Sequence, residues 1–234
     1  MMMNRLAFIL ILIYPYLNAS CEKVEDKNIF AGYAYDAVIV DGIDNEWKDI
    51  QNAVVFKDKQ ECSPNEITVK LQWDCDYLYV LFSVKDDNLQ AYRTEQDHPE
   101  LYLDDMVEIL IDTRNDKSAC WGIDDIIYHI NILSVKKDDR GTAACVSDPS
   151  WNGKAIYEVK LFGTLNNPGD TDIGYQVEMA IPWEEIEVIP EAGTSVGINF
   201  VNGDNDGNGR QLFDWAGAWP FRSPQSFGTL TLRK

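Results

Sequence analysis

Ile67-Thr68-Val69-Lys70-Leu71-Gln72-Trp73 alternates apolar and polar side chains without a break, and Tyr77 to Val84 takes up the same alternation. Successive side chains of a strand point to opposite faces, so a period of two marks a strand with one face buried and one wet. Working outward, the pattern returns in Val107-Glu108-Ile109-Leu110-Ile111-Asp112, Tyr128-His129-Ile130-Asn131-Ile132, Tyr157-Glu158-Val159-Lys160-Leu161 and Tyr175 to Ile181. Val196 to Val201 and Phe227 to Leu232 bring the number of such runs to at least eight, each bounded by Gly, Asp, Asn or Pro. One helix-like turn is expected, from Trp183 to Ile186 behind Pro182, a residue suited to a first helical position. An all-β, antiparallel β-sandwich follows, two sheets packed face to face in an immunoglobulin-type architecture. No internal repeat and no second apolar core is visible, so one domain is expected.

The chain has 234 residues, enough for a sizeable core, and a formal net charge of −19. That charge repels phosphate backbones and anionic lipid, which argues against nucleic acid and against direct membrane-surface binding. It favours cations and neutral polar ligands. Seven Trp and eleven Tyr supply rings for a core and for ligand platforms alike.

Met1-Met2-Met3-Asn4-Arg5 precedes an apolar run from Leu6 to Leu17, the form of a secretory leader over residues 1–20, too short for a membrane span. Asn18-Ala19-Ser20-Cys21 resembles a bacterial lipobox, in which Cys21 carries the lipid; Asn18 stands where Leu is usual, and plain cleavage near Ala19 or Ser20 is the alternative. Residues 21–35, with Glu22, Glu25 and Asp26, read as a tether like those of surface-exported Bacteroidetes lipoproteins, leaving 36–234 as the folded domain. An exported, outer-membrane-anchored chain is expected, with a periplasmic or secreted one as the alternative. Cys62, Cys75, Cys120 and Cys145 permit two disulfides in any of three pairings, and the absence of C-x-x-C spacing argues against zinc.

Five segments, in order, resemble the family 9 carbohydrate-binding modules, DOMON-type β-sandwiches. They are Val40-Asp41-Gly42-Ile43-Asp44-Asn45-Glu46-Trp47, Leu71 to Val80, Asp105-Met106-Val107-Glu108-Ile109-Leu110-Ile111-Asp112, Tyr175 to Trp183 and Phe227-Gly228-Thr229-Leu230. The resemblance implies a jelly-roll-like sandwich, bound calcium and a slot in which two aromatic rings clamp a terminal sugar. Pyranose C–H patches pack on rings while the hydroxyls need directed polar partners. On that resemblance Glu108 is the sugar-binding glutamate, and Tyr102 stands where the family has a clamp tryptophan. His129 and Asn131 match an arginine and an asparagine, His129 replacing a fixed cation by a titratable ring. Trp215, with Trp219 behind it, is the expected second clamp ring, whereas Trp47, Trp73 and Trp183 fall within fold motifs and read as packing.

Asp204-Asn205-Asp206-Gly207-Asn208-Gly209 fits the first half of a calcium loop, with short oxygen side chains at alternate positions and a glycine for the turn. Asp204, Asp206 and Asn208 are the expected ligands. Trp215 occupies the place of the bidentate glutamate, so an EF-hand is excluded. Asp41, Asp44 and Glu46 form a second candidate cluster, and Asp112 with Asp116 a third. No nucleophile elbow, phosphate loop or dinucleotide fingerprint occurs, and two histidines starve most acid–base mechanisms. Non-catalytic capture of an oligo- or polysaccharide, beside separate glycan-degrading enzymes or transporters, is the expected function. The alternatives are a glycoside hydrolase, which needs paired carboxylates flanking a cleft, a protein-interaction subunit with a decayed sugar site, and a haem-binding relative using Met106 or Met179.

Overall fold

The computed structural model describes residues 27–51, 53–57, 65–207, 210–217, 220 and 222–234. The leader with Cys21, and Cys62, Asn208 and Trp219, lie outside the described residues. The strands are β1 (Asn28–Tyr33), β2 (Ala53–Lys57), β3 (Glu66–Trp73), β4 (Tyr77–Lys85), β5 (Met106–Asp112), β6 (Asp125–Asn131) and β7 (Lys136–Gly141). They continue as β8 (Ser147–Asp148), β9 (Ile156–Phe162), β10 (Gly174–Pro182), β11 (Ser195–Asn205), β12 (Arg210–Asp214) and β13 (Gly228–Arg233).

Hydrogen bonds link them in the order β8-β7-β6-β5-β11-β13-β1-β3-β4-β10-β9, with β12 on β11 and β2 on β3. This path folds over one core. Val107, Ile109 and Ile111 of β5 and Ile126, Tyr128 and Ile130 of β6 share it with Val69, Leu71, Val80, Phe82, Val177 and Met179 from the opposite layer. Phe82 meets Phe200 edge-on across the interface, ring centroids 5.7 Å apart. The sandwich is therefore as the alternation predicts.

Two details differ. β1 runs parallel to both β13 and β3 and joins the layers, so the sandwich is mixed rather than wholly antiparallel. β1 also occupies residues assigned to the tether: Asn28–Tyr33 belongs to the fold, with Ala31 fully buried. Its backbone groups are satisfied by strands on both sides, so it needs little pattern of its own. Neither does β7, whose Lys136-Lys137-Asp138-Asp139-Arg140 reads as solvated. Lys136 and Asp138 are buried as a pair with 2.7 Å between Nζ and Oδ2, and Lys136 also donates to the Gly153 carbonyl. The turn after Pro182 is not helical. Pro182 ends β10, and the Trp183 indole donates to the Asp74 carbonyl at 3.1 Å.

Cys120 and Cys145 are disulfide-bonded across a separation of 25 residues, while Cys75 is free and exposed. Trp47, Trp73 and Trp183 are buried, as their motifs imply. Trp47 seals the outer face of β4 and β10 together with Tyr79, Leu81 and Ala180. Its indole donates to Glu178 Oε1 at 2.8 Å, while Glu178 Oε2 accepts from the backbone of Asp41 at 2.9 Å and Gly42 at 3.0 Å. Gly42 takes φ +75 to make that approach. Burial pushes the Glu178 carboxyl up, against the pull of the three donors. Glu178→Ala strands all three donors in a buried site. It should lower unfolding stability by about 3 kcal/mol in a denaturant titration, leaving the far-ultraviolet β spectrum unchanged.

Candidate functional site

Because β5 and β6 send Val107, Ile109, Ile111, Ile126, Tyr128 and Ile130 inward, the intervening residues must face out. Glu108 lies directly opposite His129 on β6 and Val201 on β11. Beside this pair Leu110, Ile127, Val201, Trp121 and Phe227 form a small second apolar cluster, with Leu212 packed against it. The outer side of this layer thus carries a small buried apolar cluster with one acid and one imidazole beside it.

Glu108 is 1% exposed and His129 4%. His129 Nδ1 comes within 2.8 Å of Glu108 Oε1, a short contact whose alignment is too poor for a hydrogen bond. Among the described residues neither Glu108 oxygen has an aligned donor. A buried carboxylate in that condition costs free energy unless something else supplies donors. Tyr102 sits in a 3-10 turn, Leu101–Leu103, with 36% of its surface exposed and the Arg210 guanidinium 4.6 Å over its ring.

Asn131 does not join this pair. It is fully buried, its Nδ2 donating to the Arg93 carbonyl and to Asp104 Oδ2, its Oδ1 accepting from the amides of Leu133 and Val135. Both donors and both acceptor sites of the amide are filled, so nothing is left for a ligand. Its work is the turn after β6, where Ser134 adopts φ 60. Trp215 is corrected as well. It is 9% exposed and belongs to the main core, 5.4 Å from the Phe200 ring, rather than to a clamp. Phe213, two residues earlier on β12, faces the same core, which explains why the ring points inward. Trp219, the other expected ring, lies outside the described residues.

Two groups of acids converge. One carboxylate oxygen each from Asp86, Asp204 and Asp206 lie within 4.8 Å of one another, and so do those of Asp112, Asp116 and Asp124. Burial, then the proximity of Asp204 and Asp206, pushes the Asp86 carboxyl up to about 7. Neighbouring Asp105 is pushed up to about 9, by burial first and then by Asp86, although the Gln90 and Asn205 amides donate to it. In the second group Asp112 is raised by burial and holds the amides of Asp116 and Lys117. Asp204 is the penultimate residue of β11 rather than the start of a loop. Asp41 and Asp44 enter neither group; the Asp41 carboxylate accepts from the Ile43 amide instead.

The sequence did not single out Asp86, Asp105, Trp121 or Arg222. Among 39 acids nothing marks Asp86, which closes the first group only because β4 ends beside β11. Arg222, whose Nη2 is 3.3 Å from His129 Nε2, lies far from β6 in sequence.

The family profile described as "Carbohydrate family 9 binding domain-like" matches residues 39–234. The chain belongs to this carbohydrate-binding family. Its curated relatives include the exoglucanase XynX of Acetivibrio thermocellus, 28% identical over 205 residues, and the endo-1,4-beta-xylanase A of Thermotoga neapolitana, 29% identical over 210. These matches cover 85% and 86% of this chain but 16% and 17% of the relatives, so the chain spans about a sixth of their length. A family 9 module from Caldicellulosiruptor kristjanssonii, solved with glucose, superposes with a TM-score of 0.68 at 24% identity, covering 88% of this chain and 96% of that one. A putative carbohydrate-binding protein from Bacteroides uniformis gives a TM-score of 0.68 at 14% identity, covering 88% and 99%. The family 9 module is a binding rather than a catalytic domain, and in this member the buried Trp215 supports the fold. Trp215→Ala is therefore expected to cost roughly 3–5 kcal/mol of stability in a denaturant titration, as a large cavity in the core does.

Proposed function

We propose that this family 9 module captures a neutral oligosaccharide on the outer face of β5, β6 and β11, without cleaving it. The observation that carries this reading is Glu108, buried beside an apolar cluster and, among the described residues, without an aligned donor. Sugar hydroxyls are donors, and a pyranose has C–H faces that pack on apolar surface, so one ligand answers both features. A carboxylated sugar would meet Glu108 with like charge. Tyr102, at the end of the same layer, offers a ring for a further sugar unit. The relatives named for xylan and the structure solved with glucose make xylo- and cello-oligosaccharides the first ligands to test. Cys21 is proposed as the lipid anchor to an outer membrane, where captured glycan would pass to neighbouring enzymes or transporters.

Calorimetric titration with cello- and xylo-oligosaccharides should show binding in the millimolar to micromolar range, with no reducing ends released on prolonged incubation. Glu108→Ala should weaken binding at least tenfold, the loss expected when about 1.4 kcal/mol of hydrogen bonding to a charged group is removed. Release of reducing ends, or undiminished binding by the variant, would overturn the reading.

We also infer that Asp86, Asp204 and Asp206 hold calcium, which their hard oxygen donors and close convergence suit. The cation would offset the mutual repulsion of these converging carboxylates and would brace the end of β11. Asp86 has its folded value raised from 3.8 to about 7, so the folded state takes up a proton more readily than the unfolded chain. Its favourable contribution is greatest at low pH and is lost as pH rises from about 4 to about 7. In chelator, Asp86→Asn should therefore gain thermal stability relative to the native protein across that window. Calcium should raise the native melting temperature more at about pH 8 than at about pH 5, and should do little for the variant.

A further inference from the structure

Arg222 lies between β12 and a 3-10 turn, Pro224–Ser226, and its side chain spans three strands. Nη1 donates to Ser147 Oγ at 2.8 Å and to Asp139 Oδ1 at 3.3 Å, while Nη2 is 2.9 Å from Asp139 Oδ2 and 3.3 Å from His129 Nε2. The guanidinium carbon lies 5.6 Å from the centroid of the Trp121 ring. Each Nη therefore has two partners, all of them protein groups. Arg222 is an anchored group, and what it anchors is His129.

A guanidinium has donors and no acceptor. Where it meets His129, Nε2 has to be the acceptor, so the imidazole carries its proton on Nδ1. That nitrogen is the one beside Glu108, 2.8 Å from Oε1 and poorly aligned with it. The Nδ1–H direction is fixed by the ring, and since Glu108 does not lie along it, that donor is left for a ligand oxygen placed in line with it. The row Asp139–Arg222–His129–Glu108 thus ends in one donor and two acceptor oxygens, side by side and nearly buried. A free histidine favours the opposite tautomer, with the proton on Nε2. The arrangement therefore depends on Arg222.

We propose that Arg222 is a positioning residue of the sugar site: it holds His129 as the Nδ1–H tautomer, so that His129 donates to one hydroxyl oxygen while Glu108 accepts from that hydroxyl or its neighbour. This rests on the sugar-binding reading above. It narrows the ligand to an uncharged sugar with two adjacent free hydroxyls, since Asp139 already meets the charge of Arg222 and Glu108 repels an anion.

The chain has two histidines, so their ring nitrogens can be resolved by nitrogen-15 NMR, with His98→Asn assigning the signals. Native His129 should show the Nδ1–H pattern. In Arg222→Ala it should revert to Nε2–H, and affinity for the best oligosaccharide should fall about tenfold. Arg222→Lys keeps a donor that cannot accept, and should retain both the tautomer and most of the affinity. A merely structural role would lower stability without moving the ring signals. Native Nε2–H, or Arg222→Ala binding as tightly as the native protein, would overturn this proposal while the sugar reading stands. Absence of binding by the native protein would overturn both.

Discussion

The register between β5 and β6 is the constraint on which the site depends. It sets Glu108 opposite His129, and the same pairing sends Ile109 and Tyr128, their neighbours in sequence, into the core. The two demands cannot be separated. A slip of one residue would turn the acid into the core and a branched apolar side chain onto the outer face, so the energy that holds the core also holds the site. β11 extends the arrangement by placing Val201 beside Glu108 and Phe200 in the core against Phe82. Site and core are two faces of one set of strands.

The buried polar residues of the two layers divide by whether their bonding capacity is used. Asn131, Asp104 and Glu178 are satisfied by the chain itself, and each closes a turn or pins a loop. Glu108 is as deeply buried but has no aligned donor among the described residues. A fold gains nothing from such a residue and bears its desolvation cost, so the residue marks a place where a partner is expected. The same reasoning separates Asn131 from Glu108 although they lie on adjacent strands and the same face.

The alternating runs were legible because half-buried strands leave a period of two in the chain, and β3, β4, β5, β6, β9, β10, β11 and β13 were readable from it. β1, β2, β7, β8 and β12 were not. β1 takes its order from two neighbours and β7 hides a buried Lys136–Asp138 pair in a run of charges, so neither carries the pattern. At the candidate site, the outward placement of Glu108 and His129 was legible from alternation. The inward turn of Trp215 was not, because a tryptophan beside a strand looks alike in sequence whether it packs on Phe200 or on a ligand. Asp86 was hidden for another reason: a carboxylate joins a cluster through its neighbours in space, and 39 acids make neighbours in sequence uninformative.

The charge of −19 invites the idea that the protein's acidity draws its ligand in, but the charges at the site argue otherwise. Arg222 is matched by Asp139 at 2.9 Å, and Glu108 lies against His129 with a second cation, Lys137, opposite His129 on β7. Charge is thus balanced locally where the outer face carries its polar groups, while the surplus acid lies in clusters at the strand ends, such as Asp86, Asp105, Asp204 and Asp206. A site balanced in this way exerts little long-range pull on an ion and discriminates through the direction of its donors and acceptors. That is the discrimination a neutral sugar requires, since its hydroxyls differ in direction and not in charge. The surplus acid thus lies away from Glu108 and His129, and their outer face is the part of the molecule that it leaves alone.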